Sequence, residues 1–362
     1  MYDSTLKHKT ESVMALVPYS SLKVRADEGD MKLIGATGTE ATLTNYAFDQ
    51  VSARASAPAA FLRRLPAPMA ADALNVALSQ KDDDLDGMVM FKRNGGLTVR
   101  CITGENYQRI WNAGIVAKLQ ELEAQGWRVP PARPAGIDNE RTRPATAEDV
   151  LKTAHEGMGV KVGDMIAPAG LYASDRDMFA FLVDDDKTID NPLSQPLARG
   201  FFVWNSEVGD KVFGVMTFLY DAICGNHIVW GAQNVNEVRI RHVGDAKERA
   251  FSQLRVELKE YANESATETE AKIKKAQTFL IAEKKEDVLE TLFGFIGRKK
   301  IWMPKGVLED SYALAEATPR YGDPRTPWAI TQGISELSQQ QQYAEKRVEL
   351  DRSAGKLLQI AF

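Results

Sequence analysis

The sequence is poor in the residue types and patterns by which many functions announce themselves. Of 362 residues only two are cysteine, Cys101 and Cys224, far apart and without CxxC spacing. That argues against a disulfide framework and for free thiols in a reducing compartment. Only four are histidine, His8, His155, His227 and His242. No two share the i,i+3 or i,i+4 spacing that sets two ligands on one helical face, so no metal is expected. No apolar run approaches the ~18 residues of a membrane span, and the N-terminal MYDSTLKHKTES has no apolar stretch behind its charges. A cytoplasmic chain with no membrane partner is the expectation. GxxxxGK[ST], GxGxxG, GxSxG and HExxH are all missing, which removes the common nucleotide, hydrolase and zinc-protease signatures and leaves no cofactor to expect. A basic excess is lacking too. Lys and Arg number 45 against 50 Asp and Glu, a net charge of −5, so a polyanion site would have to be a local patch.

What is present describes a globular chain. Hydrophobic residues make up 44% and charged residues 26%, enough to bury a sizeable core and to divide into two or more units. We read an α+β fold with an antiparallel sheet core, a helical C-terminal part and a mixed N-terminal region. Residues 1–129 form that mixed region. DGMVMFKR and GLTVRCI flank Asn94-Gly95-Gly96, a strong hairpin signal. Thr44 to Gln80 reads as helical, with Tyr46, Phe48 and Val51 on one stripe, Ala70, Leu74 and Leu78 on another, and Pro66-Ala67-Pro68 between them. Ile115, Leu119 and Leu122 mark a further helix that stops at Gly126.

Residues 130–149, proline-rich and scattered with charge, read as a linker or insertion. Residues 150–245 are the most strand-like, dense in aromatic and β-branched side chains. Residues 246–362 turn to long Glu-, Lys-, Ala- and Leu-rich helices, too irregular for a sustained coiled coil, whose packing or oligomer surface suggests a homo-oligomer.

Candidate chemistry concentrates between Arg199 and Gly244. Asn205 and Ser206 end an aromatic strand, and Glu207-Val208-Gly209-Asp210 reads as the turn of a hairpin with the Asn-Ser pair at its mouth. Cys224-Gly225-Asn226-His227 punctuates the next strand, where Cys224 reads as a small core residue sooner than as a nucleophile. In VRIRHVG, alternation sets Arg239 and Arg241 on one face and Val238, Ile240 and His242 on the other. Two arginines on one strand face suit an anion such as phosphate, unless Glu237, Asp245 or Glu248 engages them. Arg298-Lys299-Lys300 followed by Ile301-Trp302 joins cations to an aromatic that can stack a base, although a helix C-terminus favours such residues anyway. The acidic runs Asp82-Asp83-Asp84 and Asp184-Asp185-Asp186 read as solvated turns.

The order N-S-x-x-G, an aromatic strand, C-x-N, then a Val/Arg strand closing as R-x-x-H-x-G rests on Asn205, Ser206, Gly209, Cys224, Asn226, Arg239, His242 and Gly244. It resembles the uncharacterised phage/plasmid-like family of domain of unknown function 932, with its YfjQ/YafZ-type prophage proteins. Tyr107-Gln108-Arg109-Ile110 through Gly126-Trp127 is similar to that family's Y-x-x-I segment, and Phe48 to Leu65 and Trp328 to Leu337 also resemble its longer phage members. His227 departs from the family, many of whose members carry Gly after the Asn. The resemblance implies a mobile-element protein and brings no catalytic residues with it.

The leading functional expectation is a non-enzymatic nucleic-acid-binding protein of a phage or plasmid, binding or annealing single-stranded DNA. Arg239, Arg241, His242, Trp204 and Asn205 would form the site, with Arg298, Lys299 and Lys300 adding to it. The alternative is a protein-binding factor that counters a host defence system through a host protein. A third reading is an enzyme whose site gathers Asn205, Ser206, Glu207, Cys224 and His242 in one pocket.

Overall fold

Two sheets and a C-terminal layer of helices give the chain its α+β architecture. The computed structural model describes every residue except 28–29, 36–37, 82–85, 94–95, 131–132, 135–142, 148–149, 151–160, 168–169, 175, 194, 222–226, 229–237 and 342–343. The hairpin tip at 94–95, the acidic run 82–84, and Cys224 and Asn226 therefore lie outside the described residues.

Helix α1 (Tyr2–Thr10) leads into β1 (Ser12–Pro18), and β2 (Lys23–Asp27), β3 (Asp30–Ile34) and β4 (Glu40–Leu43) follow as a meander. Helices α2 (Asn45–Arg54), α3 (Ala59–Leu62) and α4 (Ala67–Ser79) precede β5 (Asp86–Arg93) and β6 (Leu97–Gly104). The six-stranded sheet runs β1-β5-β6-β4-β3-β2, antiparallel except where β4 lies parallel to β6. The hairpin expected from sequence is β5–β6, with Arg93 opposite Leu97. The Thr44 hydroxyl accepts from the Ala47 amide at 3.1 Å and so caps α2. Phe48 and Val51 of α2 and Ala70, Leu74 and Leu78 of α4 bury the expected stripes against Val24, Leu33 and Val89 of the sheet. Pro66 and Pro68 stand at the cap and in the first turn of α4, where a missing amide costs nothing.

After α5 (Asn112–Gln120), Gly126 reverses the chain at φ 93° into β7 (Trp127–Arg128). The short strands β8 (Arg133–Pro134), β9 (Arg143–Pro144) and β10 (Met165–Ala167) form a three-stranded sheet, which ties parts of the proline-rich stretch to the β-rich region. A seven-stranded sheet follows, built from β11 (Leu171–Ala173), β12 (Met178–Ile189), β13 (Leu197–Asn205), β14 (Phe213–Tyr220), β15 (His227–Ile228) and β16 (Val238–Ile240), with β7 beside β12. Every pairing in it is antiparallel.

Six helices complete the chain: α6 (Ala246–Asn263), α7 (Ala266–Thr278), α8 (Val288–Lys299), α9 (Lys305–Ala317), α10 (Pro327–Gln339) and α11 (Ala344–Leu357). Helices cover both faces of the large sheet. Ile115 and Leu119 of α5 and Leu254 and Leu258 of α6 pack over Leu182, Phe201 and Val215. On the other face Phe181, Phe202, Trp204 and Phe218 meet Val348 of α11. Both faces are dry, which is why β13 and β14 read as unbroken apolar runs and not as alternation.

Two sequence expectations are corrected here. The break at 129–130 does not separate two packing units, because Ile110, Ile115, Leu119 and Trp127 belong to the core of the seven-stranded sheet. Asp184 to Asp186 are not a solvated turn. They lie within β12 at a register shift between Asp184 and Thr188, and Asp184 is buried with the Lys187 ammonium at 3.4 Å.

The last helices hold a core of their own, including Leu292, Phe295, Leu308, Ile330 and Leu357. Its closest approach is at Gly333 of α10, where an added Cβ would fall 2.4 Å from the Ser311 carbonyl oxygen of α9. A carbonyl fixed in a helix cannot swing aside. Gly333→Ala should therefore lose about 1–3 kcal/mol to overpacking despite gaining about 1 kcal/mol of helix propensity. A lower urea midpoint in the variant is the expected result.

Candidate functional site

Asn205, Ser206, Gly209, Tyr107 and His242 gather where the two sheets are joined. Asn205 ends β13, and residues 206–212 lead to β14. Glu207 is 1% exposed, and a carboxylate there needs a paired cation and hydrogen bonds. Its Oε2 lies 3.1 Å from a guanidinium nitrogen of Arg100 on β6, and its Oε1 accepts from the Asn112 amide of α5 at 2.8 Å. The Asn205 side-chain amide donates to the Ile110 carbonyl at 2.8 Å and to Asn112 Oδ1 at 2.7 Å. The Ser206 hydroxyl donates to the Arg176 carbonyl at 2.6 Å and accepts from the Asp210 amide at 3.1 Å. Gln50 of α2 donates to the Val208 carbonyl and accepts from the Ile102 amide, both at 2.8 Å. Gly209, at φ 87°, takes the turn that a Cβ would strain.

Tyr107 and His242 complete the cluster. The Tyr107 hydroxyl donates to the Ser206 carbonyl at 2.9 Å, and its ring stacks on His242 at 4.8 Å and 5°. The Gln108 amide donates to the His242 carbonyl at 2.8 Å, while His242 Nδ1 lies 3.2 Å from the Gln108 carbonyl oxygen. Burial, against the help of that carbonyl, drives the imidazole pKa down to about 4, so the ring is neutral at pH 7.

These contacts revise the candidate residues. Asn205, at 0% exposure, and His242, at 4%, are withdrawn from the nucleic-acid set, since neither reaches a ligand without the junction opening. Asn205, Ser206 and Glu207 do come together, bonded to backbone and to the side chains of Arg100 and Asn112, and His242 reaches them through Tyr107; among the described residues the buried Asn205 Oδ1 and His242 Nε2 have no hydrogen-bond partner. Trp204 is withdrawn as an open stacking platform. It is 5% exposed, with Gly214 so close beneath that an added Cβ would fall 2.0 Å from the ring and the Arg352 guanidinium 5.5 Å from its centroid.

Sequence reasoning missed Arg100, Arg109, Gln50 and Asn112. Arg100 left one signal, a cation inside the apolar run LTVRCI that needs a buried partner. Arg109 donates to the buried Cys101 sulfur at 3.7 Å and lies over Tyr107 and Trp111. Burial pushes the Cys101 thiol up, which leaves it a poor nucleophile.

Two cationic surfaces remain accessible. On β16, Val238 and Ile240 are buried while Arg239 and then Arg241 are exposed, the alternation expected from sequence. Asp245, one suggested partner, pairs with Arg249 at 2.7 Å. Arg239 shares a cleft of about 270 Å³ with Lys211 and Arg352, floored by Phe179 and Trp204 and bordered by Glu349. The second surface is the turn from α8 to α9. Arg298, Lys299 and Lys300 are exposed, with no ion pair among the described residues, and Trp302 stands 50% exposed beside them. Lys305 follows at the start of α9, paired with Glu309 at 3.5 Å.

Among the described residues no group of three or more His, Cys, Asp and Glu is placed to hold a metal ion, and no helix is long and apolar enough to cross a membrane. No family model, curated protein or solved structure matches the chain. Fold and site together define an α+β protein with a buried polar clasp and accessible cationic surfaces.

Breaking a buried ion pair on one side costs about 3–5 kcal/mol. Glu207→Gln should accordingly lower the urea midpoint sharply, and Glu207→Gln combined with Arg100→Met should recover part of the loss.

Two buried groups give opposite pH slopes. His242 binds its proton in the unfolded chain near pH 6.5 but in the folded chain only near 4, so its contribution is present above pH 6.5 and about 3 kcal/mol is lost as pH falls to 4. Asp351, bonded by Ser338 and pushed up to about 7 by burial, favours the folded state at low pH and loses that contribution as pH rises from 3.8 through 7. Urea titrations at pH 4.5 and 7 should separate them: His242→Phe should be more stable at 4.5 than at 7, and Asp351→Asn the reverse.

Proposed function

We propose that this is a non-enzymatic nucleic-acid-binding protein of a phage or plasmid, one that holds single-stranded DNA. The observation that carries the reading is the turn from α8 to α9, where Trp302 is half exposed among Arg298, Lys299 and Lys300. An exposed indole stacks a base of any sequence, and neighbouring cations take up the phosphates. Arg239 on β16 and Arg241 just beyond it, with Lys211 and Arg352 in the cleft, offer a second place for phosphate. The chain is acidic overall, so binding falls to these local surfaces. Work on a mobile element in the cytoplasm is part of the same reading and rests on the resemblance described above.

One observation favours protein contact as well. β1 is an edge strand whose exposed residues include Val13, Met14 and Leu16, whereas β2 at the opposite edge carries Lys23, Arg25 and Asp27. Charged edges resist added strands, and an uncharged apolar edge accepts them. A second copy pairing there would make the homo-oligomer, and a host protein pairing there is the alternative function.

Fluorescence anisotropy with labelled single- and double-stranded DNA over a salt series tests the proposal. Single-strand affinity should fall linearly with salt on logarithmic axes. Trp302→Ala should weaken it about tenfold, within the ~1–3 kcal/mol of one stacked base, and leave the salt slope alone. Arg298→Ala/Lys299→Ala/Lys300→Ala, and separately Arg239→Ala/Arg241→Ala, should each flatten the slope. Absence of binding at low salt would overturn the proposal and turn attention to a host-protein partner.

A further inference from the structure

One hollow lies away from both cationic surfaces used above. It is a groove of about 710 Å³ between α5 and α6, within the roughly 300–1,000 Å³ that small-molecule sites occupy. Its floor is apolar, made by Leu122, Trp127, Phe251, Leu254 and Leu258. Trp127, Leu254 and Leu258 are themselves core residues of the seven-stranded sheet, so the floor is rigid.

The rim is cationic. Lys118 on α5, Lys187 on β12, and Arg255 and Lys259 on α6 stand around the groove, against the acids Glu121 and Glu248. Lys118 is already held by Glu121 at 2.7 Å and Lys187 by Asp184 at 3.4 Å. Arg255 and Lys259 are different. They lie one turn apart on the exposed side of α6, and neither has an ion pair among the described residues. An apolar floor beside two such cations, on a chain whose net charge is −5, is a local inversion of both polarity and sign.

We propose that this groove binds a small anionic amphiphile, a single apolar chain or ring system ending in a carboxylate or a similar anionic head. The apolar body lies over Trp127, Leu254 and Leu258, and the head is taken by Arg255 and Lys259. Burial of the body supplies the affinity, and the two cations select the sign of the head.

Calorimetric titration of the full chain with decanoate, decyltrimethylammonium and acetate, each below micelle formation, tests this. Decanoate should saturate at one molecule per chain, acetate should give no heat, and the cationic chain of equal length should bind at least tenfold more weakly. Arg255→Ala/Lys259→Ala should weaken decanoate about tenfold. Ser252→Trp and Ala262→Trp each fill the groove from its wall and should abolish binding while the far-UV circular dichroism stays unchanged; either one suffices if the other fails to fold. No saturable binding of decanoate, equal binding of the cationic chain, indifference to the charge variant, or binding that survives a folded groove-filling variant would each overturn the proposal.

Discussion

The fold depends on how the Glu207 carboxylate is satisfied. A charge that deep is tolerated only if its oxygens are matched, and the matches come from two different places in the sequence: the Arg100 guanidinium from the first sheet and the Asn112 amide from the start of α5. That one side chain therefore ties β6, an inner strand of the six-stranded sheet, to the entry of α5 and the exit of β13. The neighbouring bonds repeat the pattern, with Gln50 bridging α2 to Val208 and Asn205 gripping the backbone at Ile110. Each is a polar group that would be costly if left unpaired, so the junction tolerates little sliding. Orientation comes from these bonds, and cohesion from the apolar layers on either side.

The cationic groups divide by the same logic of burial. Arg100 and Arg199 are almost wholly buried and serve backbone and carboxylate partners. Arg199 donates to the carbonyls of Tyr261 at 2.6 Å and Glu264 at 2.7 Å, which satisfies the end of α6, while the Tyr261 hydroxyl donates to the Phe218 carbonyl of β14 at 2.6 Å. Arg239, Arg241 and Arg298 are exposed. An arginine in a motif is thus no guide to function until its burial is known. Among the motif residues His242 and Arg239 are only three positions apart, yet one is sealed under Tyr107 and the other faces a cleft.

Local physics was legible in the sequence; long-range pairing was not. The stripes of α2 and α4, the β5–β6 hairpin and the in-out alternation from Val238 to His242 follow from periods of 3.6 and 2, and all are present in the fold. The Asn205-Ser206-Glu207 block was recognisable as special, but its polarity pointed equally to a ligand or to a structural joint. Its partners Arg100 and Asn112, and Gln50 beside them on Val208, lie 93 or more residues away, where spacing carries no information. The break at 129–130 failed for the same reason. Composition marks where a chain becomes proline-rich, whereas packing depends on which stripe finds which sheet, and Ile115 and Leu119 find the later one. Asp184 misled because an acidic run usually means solvent. Here a register shift in β12 turns the first aspartate inward to meet Lys187.

A segment that sets Asn205, Ser206 and Glu207 near His242, dense in hydrogen-bonding groups, invites a catalytic interpretation. Yet such groups are also what a junction between two sheets needs, because backbone amides and carbonyls there that lack a ladder partner must be met by side chains. The two roles differ in what is left over. A catalytic group keeps a lone pair or proton aimed at open space, whereas the Ser206 hydroxyl and both Glu207 oxygens are already engaged within the junction. Trp302, by contrast, stands half exposed beside Arg298, Lys299 and Lys300, the kind of local cationic surface by which an otherwise acidic chain meets a polyanion.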